Sequence, residues 1–265
     1  ASDVAPGIYE VRVNGPLGVT NPRAFAVGNE ETLVKSGNHR TRETAMELPL
    51  GMAVTGSVEP GAFDYYRFSA KKSQPLLIDC YGQRIESRID ATLVLYDSEG
   101  TQIKHVRDVA QLDPVIEFVA PEDGEYYVGV HDFEYNGGSE YFYRLCVHEG
   151  PYVSFIFPPV GTSGMNGKFK IYGHNLPNGK PVAGMRVADT PLQELSVDVA
   201  MEQPASTHDF DVSLMETPGN SSMARKLFRL DTPNGKANPV SIGYATAPVW
   251  VENESESGDG TPRKL

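Results

Sequence analysis

Short apolar runs alternate with polar turn sequences along residues 54–147 of this 265-residue chain. Each run is rich in β-branched and aromatic residues and is bounded by Gly, Pro, Asp or Ser, which is typical of β-strands. Only residues 42–48 have the pattern of a short helix. Strands at this spacing predict a β-sandwich or jelly-roll-like domain. The predicted strands are residues 65–68, 76–81, 92–96, 115–119, 126–130 and 141–147.

A second block of apolar runs follows Pro151. Asn-Gly-Lys occurs three times there, beginning at Asn166, Asn178 and Asn234, and Asn-Gly between apolar runs is a strong hairpin signal. This block predicts an immunoglobulin-like β-sandwich of roughly seven strands that lacks the Cys and Trp core pattern of antibody domains. The predicted strands are residues 153–157, 168–172, 194–199, 210–214, 226–230 and 240–244.

The start of the chain repeats a sequence near its end. Self-similarity at one fixed offset indicates an internal repeat, although common turn residues can also match by coincidence. Each copy is followed by an apolar run and then by an acidic, polar linker, at residues 28–38 and 252–260. Four matches share an offset of 217 positions: Pro16 with Pro233, Gly18 with Gly235, Asn21 with Asn238 and Pro22 with Pro239.

The repeat and the two blocks give a domain organisation for the chain. Residues 1–30 are expected to be the C-terminal hairpin of a preceding immunoglobulin-like domain. Residues 31–150 and 151–251 are expected to form the two sandwiches, and residues 252–265 a linker to a further copy. This is an all-β fold class and the organisation of an array cut from a larger protein. Because the chain begins with Ala1, we expect any signal peptide to lie outside it.

Composition narrows the classes of partner. The chain has 23 Lys and Arg against 35 Asp and Glu, a formal charge of −12. Nucleic acids and anionic membranes both require clustered cations, so neither is an expected partner. The longest stretch without a charge, residues 150–167, contains several Pro and Gly and cannot span a membrane.

Two cysteines lie in apolar, strand-like runs. Cys80 and Cys146 are too few for a Cys-type zinc site. We expect two free, buried thiols. The alternative is a disulfide that joins two strands, as an oxidising compartment would permit.

Residues 40–148 resemble the bacterial pre-peptidase C-terminal (PPC) domain, as found in large secreted proteins of planctomycete-like bacteria. Four motifs occur in the family's order. Residues 151–251 resemble the immunoglobulin-like (IPT/TIG) domain that accompanies it, through residues 157–161 and 172–177. The PPC motifs are residues 56–68, 87–93, 120–128, and 131–133 together with 137–145.

The resemblance implies an exported, non-catalytic, jelly-roll-like sandwich that is often appended to secreted proteases. It also implies occasional binding of calcium or of a polymeric substrate. Many relatives carry two consecutive Asp residues after an Asp-x-x-Gly turn, where this sequence reads Val106-Arg107-Asp108. The inherited calcium site therefore has one acid fewer here.

The sequence offers little for catalysis. Residues 161–164 lack the spacing of a nucleophile elbow, and no His-Glu-x-x-His motif is present. His131 and Asp132 are adjacent, but neighbouring residues of a strand point to opposite faces, which disfavours a catalytic dyad. We therefore expect no enzymatic activity within this chain.

Five acidic residues fall within 24 positions and are candidate calcium ligands, because calcium prefers several carboxylate oxygens gathered at a loop. The alternative is a solvated acidic rim that contains ordinary turn residues. The candidates are Asp90, Asp97, Glu99, Asp108 and Asp113.

A loop around Gly137-Gly138 is flanked by aromatic residues that are candidates for ligand binding. Exposed aromatic faces can stack on sugar rings or contact a partner chain, so a polysaccharide or a protein polymer is the expected partner. Alternation along the strand also places part of this cluster in the core. The candidates are Phe133, Tyr135, Tyr141 and Tyr143.

These observations predict a non-catalytic spacer and binding module from a multidomain exported bacterial protein. The predicted location is secreted, periplasmic or at the cell surface. Neighbouring domains of the same polypeptide are expected contacts. The alternative is a substrate-targeting accessory segment of a secreted hydrolase whose catalytic domain lies outside this chain.

Overall fold

The computed structural model describes residues 7–28, 30–107, 113–187, 190–202, 225–233 and 235–249. The regular structure of these residues is almost entirely β-strand, which confirms the all-β fold class. The predicted strand 210–214, the candidate ligand Asp108 and the predicted linker 252–265 lie outside the described residues.

A hairpin, here called the N-terminal hairpin, occupies residues 7–27. Its long strands pair antiparallel, with Tyr9 opposite Phe25, and a short inner pair closes on Gly18, whose positive φ of 118° favours glycine. The strands are β1 (Gly7–Val11), β2 (Asn14–Gly15), β3 (Gly18–Val19) and β4 (Arg23–Val27).

Two five-stranded sheets form the first sandwich, in the orders β11-β10-β13-β8-β6 and β12-β9-β14-β7-β5. Most neighbours pair antiparallel; β5 with β7 and β6 with β8 are parallel. The strands are β5 (Thr32–Val34), β6 (Met46–Glu47), β7 (Ala53–Ser57), β8 (Asp64–Ala70), β9 (Pro75–Tyr81), β10 (Ala91–Tyr96), β11 (Gln102–Arg107), β12 (Val115–Val119), β13 (Gly124–Asp132) and β14 (Phe142–His148).

Alternation along the strands builds the core of the first sandwich. In β8, Tyr66 and Phe68 point inward while Tyr65 and Arg67 point outward. Inward residues of both sheets meet in one buried cluster, and burying each large apolar side chain contributes about 1.5–3 kcal/mol. Other members of this cluster include Ile78, Leu93, Leu95, Ile116, Val128 and Leu145.

Two expectations for the start of the first sandwich are wrong. The predicted helix 42–48 is a 3₁₀ turn at Arg42–Thr44 followed by β6. The predicted linker 28–38 contains β5, an edge strand. Both segments are held in place because Leu33 and Met46 pack against the core, a tertiary contact that local composition does not show.

The second sandwich has a four-stranded sheet, β15-β17-β19-β18, and a three-stranded sheet, β16-β23-β20, among the described residues. Their inner faces share a core that includes Val153, Phe169 and Ile242. The strands are β15 (Tyr152–Phe157), β16 (Val160–Thr162), β17 (Met165–His174), β18 (Lys180–Val187), β19 (Thr190–Met201), β20 (Arg225–Phe228), β21 (Asp231–Thr232), β22 (Gly235–Lys236) and β23 (Val240–Ala245).

The Asn-Gly hairpin signals have different outcomes. Asn166 lies inside β17, so the hairpin predicted there is wrong. Asn178 occupies the connection between β17 and β18 with a positive φ of 61°, as a tight turn requires. Gly235 also has a positive φ, 116°, and lies in the short β21–β22 pair.

Both cysteines are free and buried, as expected. They lie on the paired strands β9 and β14. The register sets Cys80 opposite Leu145, and sets Cys146 opposite Asp79. Because successive residues of a strand face opposite sides, the two thiols lie on opposite faces of the sheet and do not meet.

Candidate functional site

A row of aromatic rings covers the outer face of the sheet that contains β8, β10, β11 and β13. The strand alternation that buries Tyr66, Leu95 and Val130 sends Tyr65, Tyr96, His105 and His131 outward. Phe63 and Tyr135 come from the loops next to β8 and β13. These six residues are here called the aromatic row.

Ring contacts connect the aromatic row from one end to the other. Tyr135 stacks on His131 at a centroid distance of 5.0 Å, and His131 contacts Phe63 at 4.2 Å. Phe63 in turn stacks on Tyr65 at 5.6 Å, and Tyr65 contacts Tyr96 at 6.1 Å. These distances fall in the range of favourable aromatic pairs, so the rings support one another.

Gly129 provides the space for these rings. It lies in β13 opposite Tyr65, and a Cβ atom there would stand 3.1 Å from Tyr65 Cε1 and 3.2 Å from Phe63 Cδ1. Both contacts are tighter than ordinary van der Waals separation. The glycine therefore lets Phe63 and Tyr65 lie close over the sheet.

His131 lies in the middle of the row and is almost fully buried. Its Nδ1–H donates to the Asp132 carbonyl oxygen at 2.9 Å. Burial lowers the pKa of His131, and the nearby His105 acts in the same direction. The ring is therefore neutral at pH 7. Burial also raises the pKa of Tyr65, with Tyr96 adding to the effect, to about 12.

The carboxylate of Asp132 organises the loop after β13. It accepts backbone N–H groups from Asp90 at 2.9 Å, Glu134 at 3.2 Å and Asn136 at 3.0 Å. Tyr135 has a positive φ of 60°, a conformation that is uncommon for residues other than glycine. These hydrogen bonds hold Tyr135 in that conformation, where its ring reaches His131.

Phe133 extends the aromatic surface beyond the row. The Arg107 guanidinium lies 3.5 Å from the centre of the Phe133 ring. Asp90 accepts from Arg107 Nε at 3.2 Å and from an Arg107 Nη at 2.7 Å, which fixes the guanidinium plane. Phe133 therefore lies against an arginine whose position is fixed by its pair with Asp90.

The predicted ligand-binding residues fall into two groups. Phe133 and Tyr135 are 48% and 50% exposed and lie on the aromatic surface. Tyr141 packs against the core, and Tyr143 is fully buried. Tyr143 is therefore a core residue and does not form part of a surface site. Its hydroxyl donates to Asp64 at 2.7 Å.

Most of the aromatic row was not predicted from the sequence. Phe63 and Tyr65 come from one segment, but Tyr96 and His131 come from others, and only the sheet register brings them together. The pair Tyr65-Tyr66 did carry a signal, because adjacent tyrosines in a strand must place one ring outside.

The described calcium candidates do not come together. Asp90 binds Arg107, and Asp97 accepts the Thr101 N–H at 2.7 Å within its own turn. Glu99 lies in that exposed turn. Within the described parts of the chain, no three His, Cys, Asp or Glu side chains are grouped so that they could hold a metal. Calcium binding through Asp97, Glu99 and Asp108 stays a prediction.

Asp113 has a structural role instead. It is fully buried and accepts from Arg84 Nε at 2.8 Å and from the Gln83 N–H at 2.8 Å. Arg84 also binds Asp79 at 2.8 Å, and its guanidinium lies 3.9 Å from the Tyr81 ring centre. Including Asp113 in a calcium site was therefore wrong, because Asp113 is fully buried and both its oxygens already accept hydrogen bonds from Arg84 and the Gln83 N–H.

Comparison with known proteins identifies part of the chain. Residues 62–132 match the sequence model of the bacterial pre-peptidase C-terminal domain. This segment contains most of the aromatic row. No curated protein matches the chain. The helices in the described parts are all too short or too polar to cross a membrane.

Several solved structures are similar to part of the chain. The pre-peptidase C-terminal domain of collagenase from Bacillus anthracis is 23% identical, with a TM-score of 0.33 over 39% of this chain and 93% of that one. PliG from Aeromonas hydrophila, a periplasmic inhibitor of g-type lysozyme, is 16% identical, with a TM-score of 0.30 over 39% and 95%. The copper-binding surface protein CorA of Methylomicrobium album is 11% identical, with a TM-score of 0.29 over 39% and 97%.

Proposed function

We propose that this chain is a non-catalytic binding and spacer segment of an exported multidomain protein, and that the aromatic row with Phe133 is its binding surface. The match of residues 62–132 supports the non-catalytic, exported role, because PPC domains are accessory domains of secreted proteins. The continuous ring contacts from Tyr135 to Tyr96 carry the proposal for binding.

The chemistry of the surface favours an extended polymer as ligand. A polymer that lies along the row contacts the exposed rings of Phe133 and Tyr135, which can stack on a sugar ring or on an apolar side chain. The half-buried rings of Phe63, Tyr65 and Tyr96 continue this surface, and the buried His131 supports it through its ring contacts. Hydroxyl groups of Tyr65 and Tyr96 add hydrogen bonds at the ring edges. The matching ligand is a polysaccharide or a fibrous protein.

The rigidity of the row supports binding as well. Phe63 and Tyr65 are held over Gly129, and Tyr135 is fixed by the hydrogen bonds of Asp132. Side chains that are ordered before binding lose less conformational entropy when the ligand arrives. Several weak stacking contacts on one rigid surface then add up along a polymer.

Sedimentation with insoluble polymers tests the proposal. The full chain is mixed with cellulose, chitin, peptidoglycan or collagen fibrils, and the bound fraction is measured. We expect saturable binding to at least one polymer. The variant Phe133→Ala/Tyr135→Ala should bind it at least about fivefold more weakly, since stacking contacts contribute about 0.5–1.5 kcal/mol each.

Phe155→Ala provides a matched control, because Phe155 is 40% exposed on the second sandwich, away from the aromatic row. It should bind as the unaltered chain does. Equal binding by Phe133→Ala/Tyr135→Ala and by Phe155→Ala, or no binding to any of the four polymers, would contradict the proposal.

A further inference from the structure

The N-terminal hairpin and the last hairpin of the second sandwich have the same backbone design. Tyr9 pairs with Phe25, and Lys226 pairs with Ile242 at the 217-residue offset. The inner pairs agree as well, because Gly15 opposes Gly18 and Thr232 opposes Gly235. The connecting hydrogen bonds are Thr20 N–H to Val13 O at 3.0 Å and Ala237 N–H to Leu230 O at 2.9 Å.

The two hairpins differ in what covers their apolar face. In the second sandwich Ile242 is fully buried, and Phe228 and Leu230 pack against the same core. The N-terminal residues at the same offset are all exposed and apolar. They are Val11 at 46%, Val13 at 64% and Phe25 at 58% exposed.

An asparagine clamp in the second sandwich shows which kind of segment covers such a face. The Asn238 side chain donates from Nδ2 to Val153 O and accepts the Val153 N–H at Oδ1, both at 2.8 Å. Val153 lies in β15, the first strand of that sandwich. One amide thus recognises both backbone groups of one residue in an extended strand. Asn21 is the equivalent residue of the N-terminal hairpin and is exposed.

The second long strands of the two hairpins, β4 and β23, also correspond. In the second sandwich, β16 pairs in parallel with β23, with Val160 opposite Gly243. Small residues occupy this stretch in both hairpins, Ala26 in the first and Gly243 in the second. The N-terminal hairpin is fixed to the first sandwich just before this point, where the Ala24 N–H donates to Glu86 at 3.1 Å.

We propose that the N-terminal hairpin is a docking surface for strands of the kind formed by residues 151–202, and that together they complete a further sandwich. The partner is a polypeptide segment with an apolar first strand like β15. Its backbone is clamped by Asn21, and its inner side chains cover Val11, Val13 and Phe25. This partner fits better than a lipid or a sugar, because the clamp requires a paired backbone N–H and C=O.

Extending the full chain with its own strands tests this proposal. Residue 218 corresponds to Ala1 at the 217-residue offset, so a copy of residues 151–217 is fused directly before Ala1. Hydrogen exchange of the amides of residues 7–27 is then followed by mass spectrometry. We expect exchange to slow by about tenfold or more relative to the unextended chain, toward the protection of residues 225–245, which serve as an internal reference.

Variants in the extended chain identify the surface. Phe25→Asp and Asn21→Ala should restore fast exchange. Leu17→Asp should leave exchange slow, because Leu17 is fully exposed at the tip of the hairpin. This control also replaces an apolar side chain with a carboxylate. A scrambled copy of residues 151–217 controls for the added length.

Two outcomes would overturn the inference: equal exchange with the native and the scrambled extension, or protection that survives Phe25→Asp. Either result would leave polymer binding by the aromatic row unaffected, because that surface and its sedimentation assay do not involve the N-terminal hairpin.

Discussion

Asp64 connects a chain of buried polar groups in the first sandwich. Its carboxylate accepts from Lys35 Nζ at 2.6 Å and from the Tyr143 hydroxyl at 2.7 Å, and Tyr143 contacts the Tyr66 hydroxyl at 2.6 Å. Lys35 also donates to Ser57 O at 2.6 Å. Burial raises the pKa of both tyrosines. The two tyrosine hydroxyls therefore stay protonated, and the Asp64 carboxylate lies beside Lys35 Nζ.

Replacing Asp64 should destabilise the first sandwich strongly. Asp64→Asn leaves the buried Lys35 ammonium without its counter-charge, and breaking a buried pair in this way costs about 3–5 kcal/mol. Tyr143→Phe keeps the Lys35–Asp64 pair but removes the hydrogen bonds of the hydroxyl to Asp64 and Tyr66, and it should cost about 1.5–3 kcal/mol. Urea unfolding measures both. A loss below about 1 kcal/mol for Asp64→Asn would contradict this role.

Two histidines should make the first sandwich less stable in mild acid. Burial lowers the pKa of both His131 and His148 from the ordinary value of 6.5. As the pH falls through 6.5, the unfolded chain therefore binds protons before the folded chain does. The free energy of unfolding therefore falls as the pH drops below 6.5. It stops falling once the histidines of the folded chain are protonated as well.

Urea unfolding at pH 7.5, 6.5 and 5.5 measures this dependence. The free energy of unfolding should fall over that interval in the unaltered chain, and fall less in His131→Gln/His148→Gln. The double variant is compared with His105→Gln, because His105 is an exposed histidine of the same sandwich. The same slope in the double variant and in the unaltered chain would show that other groups are responsible.

At the scale of elements, the sequence predicted strands best where aromatic and β-branched residues are concentrated. The prediction of 115–119 coincides with β12, and 65–68 and 126–130 lie within β8 and β13. It missed β11 and β18, whose sequences are rich in polar or small residues. These strands form because they pair with β10 and β19, and local composition does not show such pairing.

The same limit explains the candidate site. Phe133 and Tyr135 were predictable because they are neighbours in one loop with a strong aromatic signal. The aromatic row was not, because four strands contribute to it and a change of one residue in register would turn each ring to the other face. The acidic candidates show the same limit, since Asp90 and Asp113 are close in sequence to the other candidates but bind different arginines.

At the scale of the whole molecule, a contact between a glutamate and a histidine links the two sandwiches. Glu117 projects from β12 of the first sandwich to His174 Nε2 at the end of β17 in the second, and both side chains are largely buried. Close by, Asn175 Nδ2 donates to Gly150 O at 3.4 Å in the connecting segment. The linkage favours a fixed orientation of the two sandwiches, which suits a spacer that presents a binding surface.

Removing Glu117 should therefore weaken the attachment of the second sandwich. In Glu117→Ala, the buried His174 loses its partner, and leaving a buried polar group without its partner costs about 1–3 kcal/mol. We expect calorimetry to show the unfolding of the second sandwich moving to lower temperature and separating from that of the first. Glu125→Ala is the control, because the exposed pair of Glu125 with Arg67 is worth at most about 1 kcal/mol. If Glu117→Ala and Glu125→Ala unfold alike, the two sandwiches do not stabilise each other through this pair.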